Sequence, residues 1–330
     1  MTDANLDLAN LDPELHQWVE MLGAEDVNDR LVAVKNLQHI GNEEAIPFLI
    51  QTLKDDSPAV QLISITALWE MANPIAVKPL MACLGSPHAD VREEALSALK
   101  ELVAPDDLPQ LLVELEQLNP KKQLNILILL RKIHDVQALP YILPFFTSDR
   151  PELREAAVIT LRYLNQVERC QPALALMEDP DVTVVRAATL TLGHLQDPEV
   201  IPTLQDALTR HPDWQVRRNA AQSLALHQDP GAIPTLGQAL GDEHWQVRKF
   251  AAQALQKGAS QAVLPPLVRA LSDEYSDVRK EAAIALGHLG DPQVLNALQQ
   301  TLDDPDIEVR IQVERAIKQL QAATQGASNV

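Results

Sequence analysis

The sequence predicts an all-α fold, a right-handed α-solenoid of about ten helical hairpins with a 31-residue period. Three observations predict it. The segment Asp242–Gly258, DEHWQVRKFAAQALQKG, is echoed by DWQVRRNAAQSLALH at Asp213–His227 and by YSDVRKEAAIALGHLG at Tyr275–Gly290. Aligning the apolar residue before the arginine gives Val60, Val91, Leu153, Val184, Val216, Val247, Val278 and Val309. These rungs step by 31 residues, or by 62 across a degenerate rung, with one step of 32 between Val184 and Val216. Asp29 and Lys122 hold the register at two degenerate rungs and bring the count to ten. Finally, apolar residues make up 46% of the chain and aromatics only 3%, as suits closely packed helices with a core of Leu, Ala, Val and Ile.

In chain order, residues 1–11 are polar and unpatterned and are expected to form a flexible tail. A single repeat domain is expected over 12–322, and a second flexible tail over 323–330. Asp12-Pro13 opens the first helix, and the pair recurs at Asp197-Pro198, Asp229-Pro230 and Asp291-Pro292. Aspartate accepts from the unpaired N–H groups at a helix start, and proline there forfeits no hydrogen bond. A second proline recurs further in, at Pro47, Pro79, Pro109, Pro140, Pro202, Pro234 and Pro265, so the first helix of each repeat should bend or begin irregularly. The second helix carries V-R-x-x-A-A-x-A-L. Counting the valine as zero, positions 0, 4, 7, 8 and 11 are apolar in most copies and fall on one helical stripe. Alanine at position 4 (Ala95, Ala157, Ala188, Ala220, Ala251, Ala282) lets neighbouring helices approach.

The formal net charge of −19 opposes binding to nucleic-acid phosphates or to an anionic membrane surface. Two cysteines, Cys83 and Cys170, form no CxxC and no disulfide framework, which suits a reducing cytoplasm. The first residues show no secretory signal, and the apolar run Leu124–Leu130 is too short to span a bilayer.

Catalytic machinery is sparse: there is no glycine-rich phosphate loop, no HExxH and no flanked Ser or Cys nucleophile. His39, His194 and His288 share a repeat position but lie too many repeats apart to converge on a metal, so they are read as helix-end or solvent residues. Cys83 and Cys170 replace small or apolar residues of other repeats and read as core. The arginine after the valine recurs in seven of ten repeats: Arg30, Arg92, Arg154, Arg217, Arg248, Arg279 and Arg310. Its expected role is structural, bridging to carboxylates and carbonyls of the Asp-rich adjacent turns.

The stronger functional signal is a row. Second helices of such arrays line the concave face, and position 2 reads Leu31, Leu62, Glu93, Leu124, Glu155, Arg186, Arg218, Lys249, Lys280 and Ile311. Four basic residues, Arg186, Arg218, Lys249 and Lys280, thus stand side by side, about 10 Å apart at the usual spacing of packed helices. Trp214, Trp245 and Phe250 cluster with them, and Tyr275 follows in the next turn. Such a row suits an acidic protein partner with an aromatic anchor, or the propionates and rings of a tetrapyrrole. It equally suits tryptophans that cover the joints between repeats while the cations pair with nearby Asp and Glu. A second candidate is apolar: Leu31, Val32, Leu62, Ile63 and Leu124 form either a greasy groove or, with the helix phase shifted by one, core.

Two antiparallel helices per 31 residues, an Asp-rich turn and a V-R start to the second helix resemble the HEAT repeat. The units also resemble the short HEAT-like repeats of the phycobilisome (bilin) lyase family, which read much like DPDWxVRxxAAxALG. The resemblance covers Asp12 to Leu320, is strongest from Leu153 and weakest at Pro105–His134, where Lys122-Gln123 replaces V-R. In the sixth unit Val185-Arg186 shifts the arginine by one place. The regular array, the absence of a catalytic constellation and the patterned concave face point to a non-catalytic scaffold that binds a protein partner through that face, and the resemblance implies a cyanobacterial source. It also implies two alternatives. One is a bilin lyase-like subunit of the E/F type, holding an open-chain tetrapyrrole and a phycobiliprotein in register. The other is a partner of an A-type iron–sulfur assembly protein, the cluster then coming from the partner.

Overall fold

The computed structural model describes residues 11–258 and 260–327, with side chains as far as residue 322. The expected amino-terminal tail lies outside these residues save Leu11, as do residues 328–330. The helices fall into two compact units, Met1–Phe145 with Tyr163–Asn165, and Phe146–Arg162 with Gln166–Val330. The first unit contains α1 (Pro13–Met21), α2 (Val27–Ile40), α3 (Ile46–Thr52), α4 (Pro58–Glu70), α5 (Val77–Cys83), α6 (Ala89–Leu102), α7 (Leu108–Leu115), α8 (Pro120–Ile133) and α9 (Leu139–Ile142). The second contains α10 (Pro151–Tyr163) but for its last residue, α11 (Gln171–Ala175), α12 (Val182–Leu192), α13 (Val200–Arg210) and α14 (Trp214–His227). It continues with α15 (Ile233–Ala239), α16 (Trp245–Ala254), α17 (Leu264–Ala270), α18 (Ser276–Leu289), α19 (Leu295–Gln300) and α20 (Ile307–Ala327). Among the described residues the secondary structure is entirely helical. Odd-numbered helices are the first helices of the repeats and even-numbered helices the second, so the ten-repeat count stands.

The recurrent prolines act as expected. Asp12, Asp197, Asp229 and Asp291 each accept the N–H two residues on, at 2.6–3.1 Å. In most repeats the second proline lies in the first turn of an α-helix that follows a 3₁₀ turn, as at Glu43–Ala45 before α3 and Pro230–Ala232 before α15. The first helix therefore begins irregularly, because proline lacks the N–H that an uninterrupted α-helix would use there.

The second helices carry the core. Val60, Val184, Val216, Val247, Val278 and Val309 are fully buried, and so are all six position 4 alanines. In the first unit α2, α4, α6 and α8 pack side by side, and in the second α12, α14, α16, α18 and α20 do the same. Some of these contacts leave no room for a side chain. A Cβ at Gly193 would lie 2.7 Å from Ser223 Oγ, and one at Gly287 2.9 Å from Ala316 Cα. Both cysteines are buried, in agreement with the core reading, and burial pushes the Cys83 thiol up to about 11 against the pull of Lys122.

The arginine ladder is a set of clamps. Arg30, Arg154, Arg217, Arg248 and Arg279 each grip, through two bonds of 2.6–3.0 Å, the aspartate 25 residues on: Asp55, Asp179, Asp242, Asp273 and Asp304. The remaining nitrogen of each donates to the carbonyl six residues back, at 2.7–3.1 Å. One planar guanidinium thus ties its own turn to the turn of the next repeat, a geometry lysine cannot reproduce. Each gripped aspartate also accepts a backbone N–H at the start of the following second helix, as Asp242 does from His244 and Asp304 from Asp306.

Candidate functional site on the second-helix face of the second unit

Position 2 of consecutive second helices places Arg186 on α12, Arg218 on α14, Lys249 on α16 and Lys280 on α18, all half-buried. Their charges are treated unequally. Arg186, one place off the clamp position, donates to both oxygens of Asp213 at 3.1 and 2.5 Å, and this bond holds the Asp213 carboxyl below its usual range. Lys249 and Lys280 share Asp277, at 3.1 and 3.2 Å, and the Lys249 bond in turn lowers that carboxyl. Arg218 has no carboxylate among the described residues. It donates to Asn219 Oδ1 at 3.1 and 2.8 Å and lies 5.7 Å from the ring centre of Trp214.

The aromatic residues repeat with the helices. Trp214 stacks on His244 at 5.2 Å between ring centres, and Trp245 stacks on Tyr275 at 5.1 Å with the planes 13° apart. Lys249 lies 6.0 Å from the Trp245 ring, repeating the Arg218–Trp214 pairing one helix on. Phe250 is half-buried beside Lys249. The tryptophans therefore cover the joints between repeats, and three of the four cations pair with aspartates. Both features belong to the plainer of the two sequence readings. What stays open to a partner is the Arg218 charge, the one lysine charge that Asp277 does not balance, the half-buried tryptophans and the exposed Tyr275. Sequence reasoning missed His244, Asp213 and Asp277 as members of this group. The signal lay in their spacing from Trp214, Arg186 and Lys249, 27 to 30 residues on, in the next repeat.

The apolar candidate in the first unit is partly solvent-facing: Leu31, Leu62, Ile63 and Leu124 are half-buried and Val32 is 44% exposed. His39, His194 and His288 are exposed. Among the described residues no group of three His, Cys, Asp or Glu side chains could hold a metal, and no helix is long and apolar enough to cross a membrane.

The sequence matches the HEAT repeats family over residues 15–100, 108–192, 170–255 and 233–318. The chain belongs to the HEAT-repeat family. Its fold is similar to the crystal structure of an engineered protein, at 20% identity and a TM-score of 0.53, over 94% of this chain and 99% of that one. It is similar also to a chain of the complex in which Kap95p binding induces the switch loops of RanGDP to adopt the GTP-bound conformation. There the identity is 13% and the TM-score 0.64, over 95% of this chain and 51% of the other. At such identities these likenesses establish the HEAT-repeat solenoid fold alone. No curated protein sequence matches the chain. HEAT-repeat membership suggests a protein-interaction scaffold.

Proposed function

We propose that this HEAT-repeat protein is a non-catalytic adaptor that binds a protein partner through the second-helix face of its second unit. The observation that supports it most is Arg218, an unneutralised guanidinium against a half-exposed tryptophan, with a second cation–aromatic pair one helix on. Tryptophan and arginine bring large contact area with a directional charge, the combination that dominates binding energy at interfaces. The rings are already stacked, so ordering them costs little on association. The proposed setting is the cytoplasm, where both cysteines stay free thiols.

The finer reading follows the resemblance to bilin lyases. Cations beside planar rings would also suit the propionates and rings of an open-chain tetrapyrrole, with a phycobiliprotein as client. In the iron–sulfur alternative the buried cysteines leave the cluster to the partner. One experiment separates these readings: purification of the tagged chain from its source cells, with the co-purifying proteins identified and the visible absorption recorded. A colourless stoichiometric complex lost on Arg218→Glu with Lys249→Glu supports the adaptor. A bilin spectrum with phycobiliprotein subunits supports the lyase-like reading, and a broad brown absorption with a small cysteine-rich protein supports iron–sulfur assembly. A complex that survives the double substitution with unchanged salt dependence removes this face as the site.

A further inference from the structure

The arginine–aspartate clamp lapses in the first unit. Where the first repeat has Arg30 and Asp55, the next has Gln61 and Ser86. Gln61 donates its amide to the Asp55 carbonyl at 2.7 Å, and the Ser86 carbonyl accepts from Arg92 at 2.7 Å, so among the described residues no ion pair joins these two turns. The groove between α3 and α5 is a cleft of about 540 Å³ at this level, walled by Ile50, Leu53, Ala82 and Val91. Grooves at the matching place in the second unit hold about 480, 440 and 390 Å³, and the first of them is lined by the charged pair Asp206 and Arg210. Charged clamp residues line the two smaller ones: Asp273, gripped by Arg248, in the 440 Å³ groove, and the Arg279–Asp304 pair in the 390 Å³ groove.

Two ammonium groups, Lys54 and Lys78, also line the cleft in the first unit. Both are exposed, and neither has an ion-pair partner among the described residues. The one carboxylate in the lining, Glu114, is already bound by Lys122. The charge offered to a ligand is therefore positive, in a chain of net charge −19. An apolar wall with a few converging polar groups is the usual form of a small-molecule site, and this volume lies in the usual range.

We propose that this cleft binds a small amphipathic carboxylate, its apolar body against Leu53, Ala82 and Val91 and its carboxylate at Lys54 and Lys78. The Cys83 thiol lies buried in the same wall, and burial pushes it up to about 11; a carboxylate offers it no electrophile. The site is separate from the second-helix face and stands whatever that face binds.

Calorimetric titration of the full chain with decanoate, decanol and decyltrimethylammonium tests the proposal. Decanoate should bind one to one, and the decyl cation at least about tenfold more weakly. Lys54→Gln with Lys78→Gln, both surface changes, should cost decanoate about tenfold and leave decanol unchanged. Ala82→Trp should fill the cleft and abolish binding of both, with the thermal midpoint of unfolding recorded alongside. No saturable decanoate binding, equal binding of the cation, or decanoate affinity indifferent to the lysine pair would each overturn the proposal.

Discussion

The guanidinium of Arg217 grips Asp242 at 2.7 and 3.0 Å while its Nη1 donates to the carbonyls of His211 and Pro212 at 2.9 and 3.0 Å. Both side chains are nearly buried, so removing Arg217 leaves the Asp242 carboxylate without its cation. Arg217→Ala should cost about 3 kcal/mol, the order seen when a desolvated pair loses one partner. Arg92 makes the carbonyl bonds alone, at 2.7 and 3.0 Å, and Arg92→Ala should cost only about 1 kcal/mol. Arg217→Lys should recover less than half of the loss, since an ammonium cannot span both carboxylate oxygens and the carbonyls. Urea unfolding midpoints of the three variants check the order.

Lys122 occupies the rung that holds a buried valine in most other repeats, and it is itself buried. Its ammonium pairs with Glu114 and donates to Gln117 Oε1 at 2.9 Å. Removing one charge leaves the other without compensation, so Lys122→Ala should destabilise by about 3 kcal/mol. Replacing both, Lys122→Met with Glu114→Leu, should be neutral or stabilising by about 1 kcal/mol or more, because burying two charges costs desolvation that a packed apolar pair does not. Thermal unfolding of the single and double variants decides this, and a double variant weaker than either single one would refute it.

These two residues show what the sequence makes legible. Repeat period, helix pairing, proline-broken first helices and the clamp all recur at fixed places, and a periodic pattern in an array has one structural meaning. Lys122 was visible as a break in that pattern, but its partner Glu114 was not. That pairing depends on the phase of two helices, which eight residues of spacing do not specify. Arg186 was counted into the basic row by position, yet its one-residue offset points it to Asp213 and away from the clamp geometry. Side-chain pairing between neighbouring repeats is thus the level at which the basic row divides into three cations paired with aspartates and one, Arg218, bonded to an amide oxygen.

Acid should unfold the protein in two stages. Partial desolvation of the rings lowers both His194, whose outer edge stays exposed, and half-buried His227 below the ordinary 6.5, helped at His194 by the Arg162 and His227 charges. Between that lowered value and 6.5 the unfolded chain binds more protons than the folded one, so stability is full above 6.5 and declines as the pH falls through the folded values. Asp213 and Asp304 are held below the ordinary 3.8 chiefly by Arg186 and Arg279, so a second loss follows as the pH falls from 3.8 through their folded values. His194→Gln with His227→Gln should flatten the first decline and leave the second in place. Melting temperature measured against pH for both proteins is the check.

The unequal neutralisation of the basic row predicts unequal effects on partner binding. Lys280 shares Asp277 with Lys249, so Lys280→Glu removes a charge that one carboxylate partly offsets and should weaken binding by no more than about threefold. Arg218 has no such carboxylate among the described residues, so no ion pair offsets its charge toward a partner. Arg218→Glu should weaken binding by about tenfold or more, and the loss should shrink as added salt screens it. Trp214→Leu removes the ring that Arg218 lies against and half of the stack with His244, so its loss should persist at high salt. Affinities for the co-purified partner across a salt series distinguish these two behaviours. Equal losses for Arg218→Glu and Lys280→Glu would mean that the partner reads only the summed charge of the face.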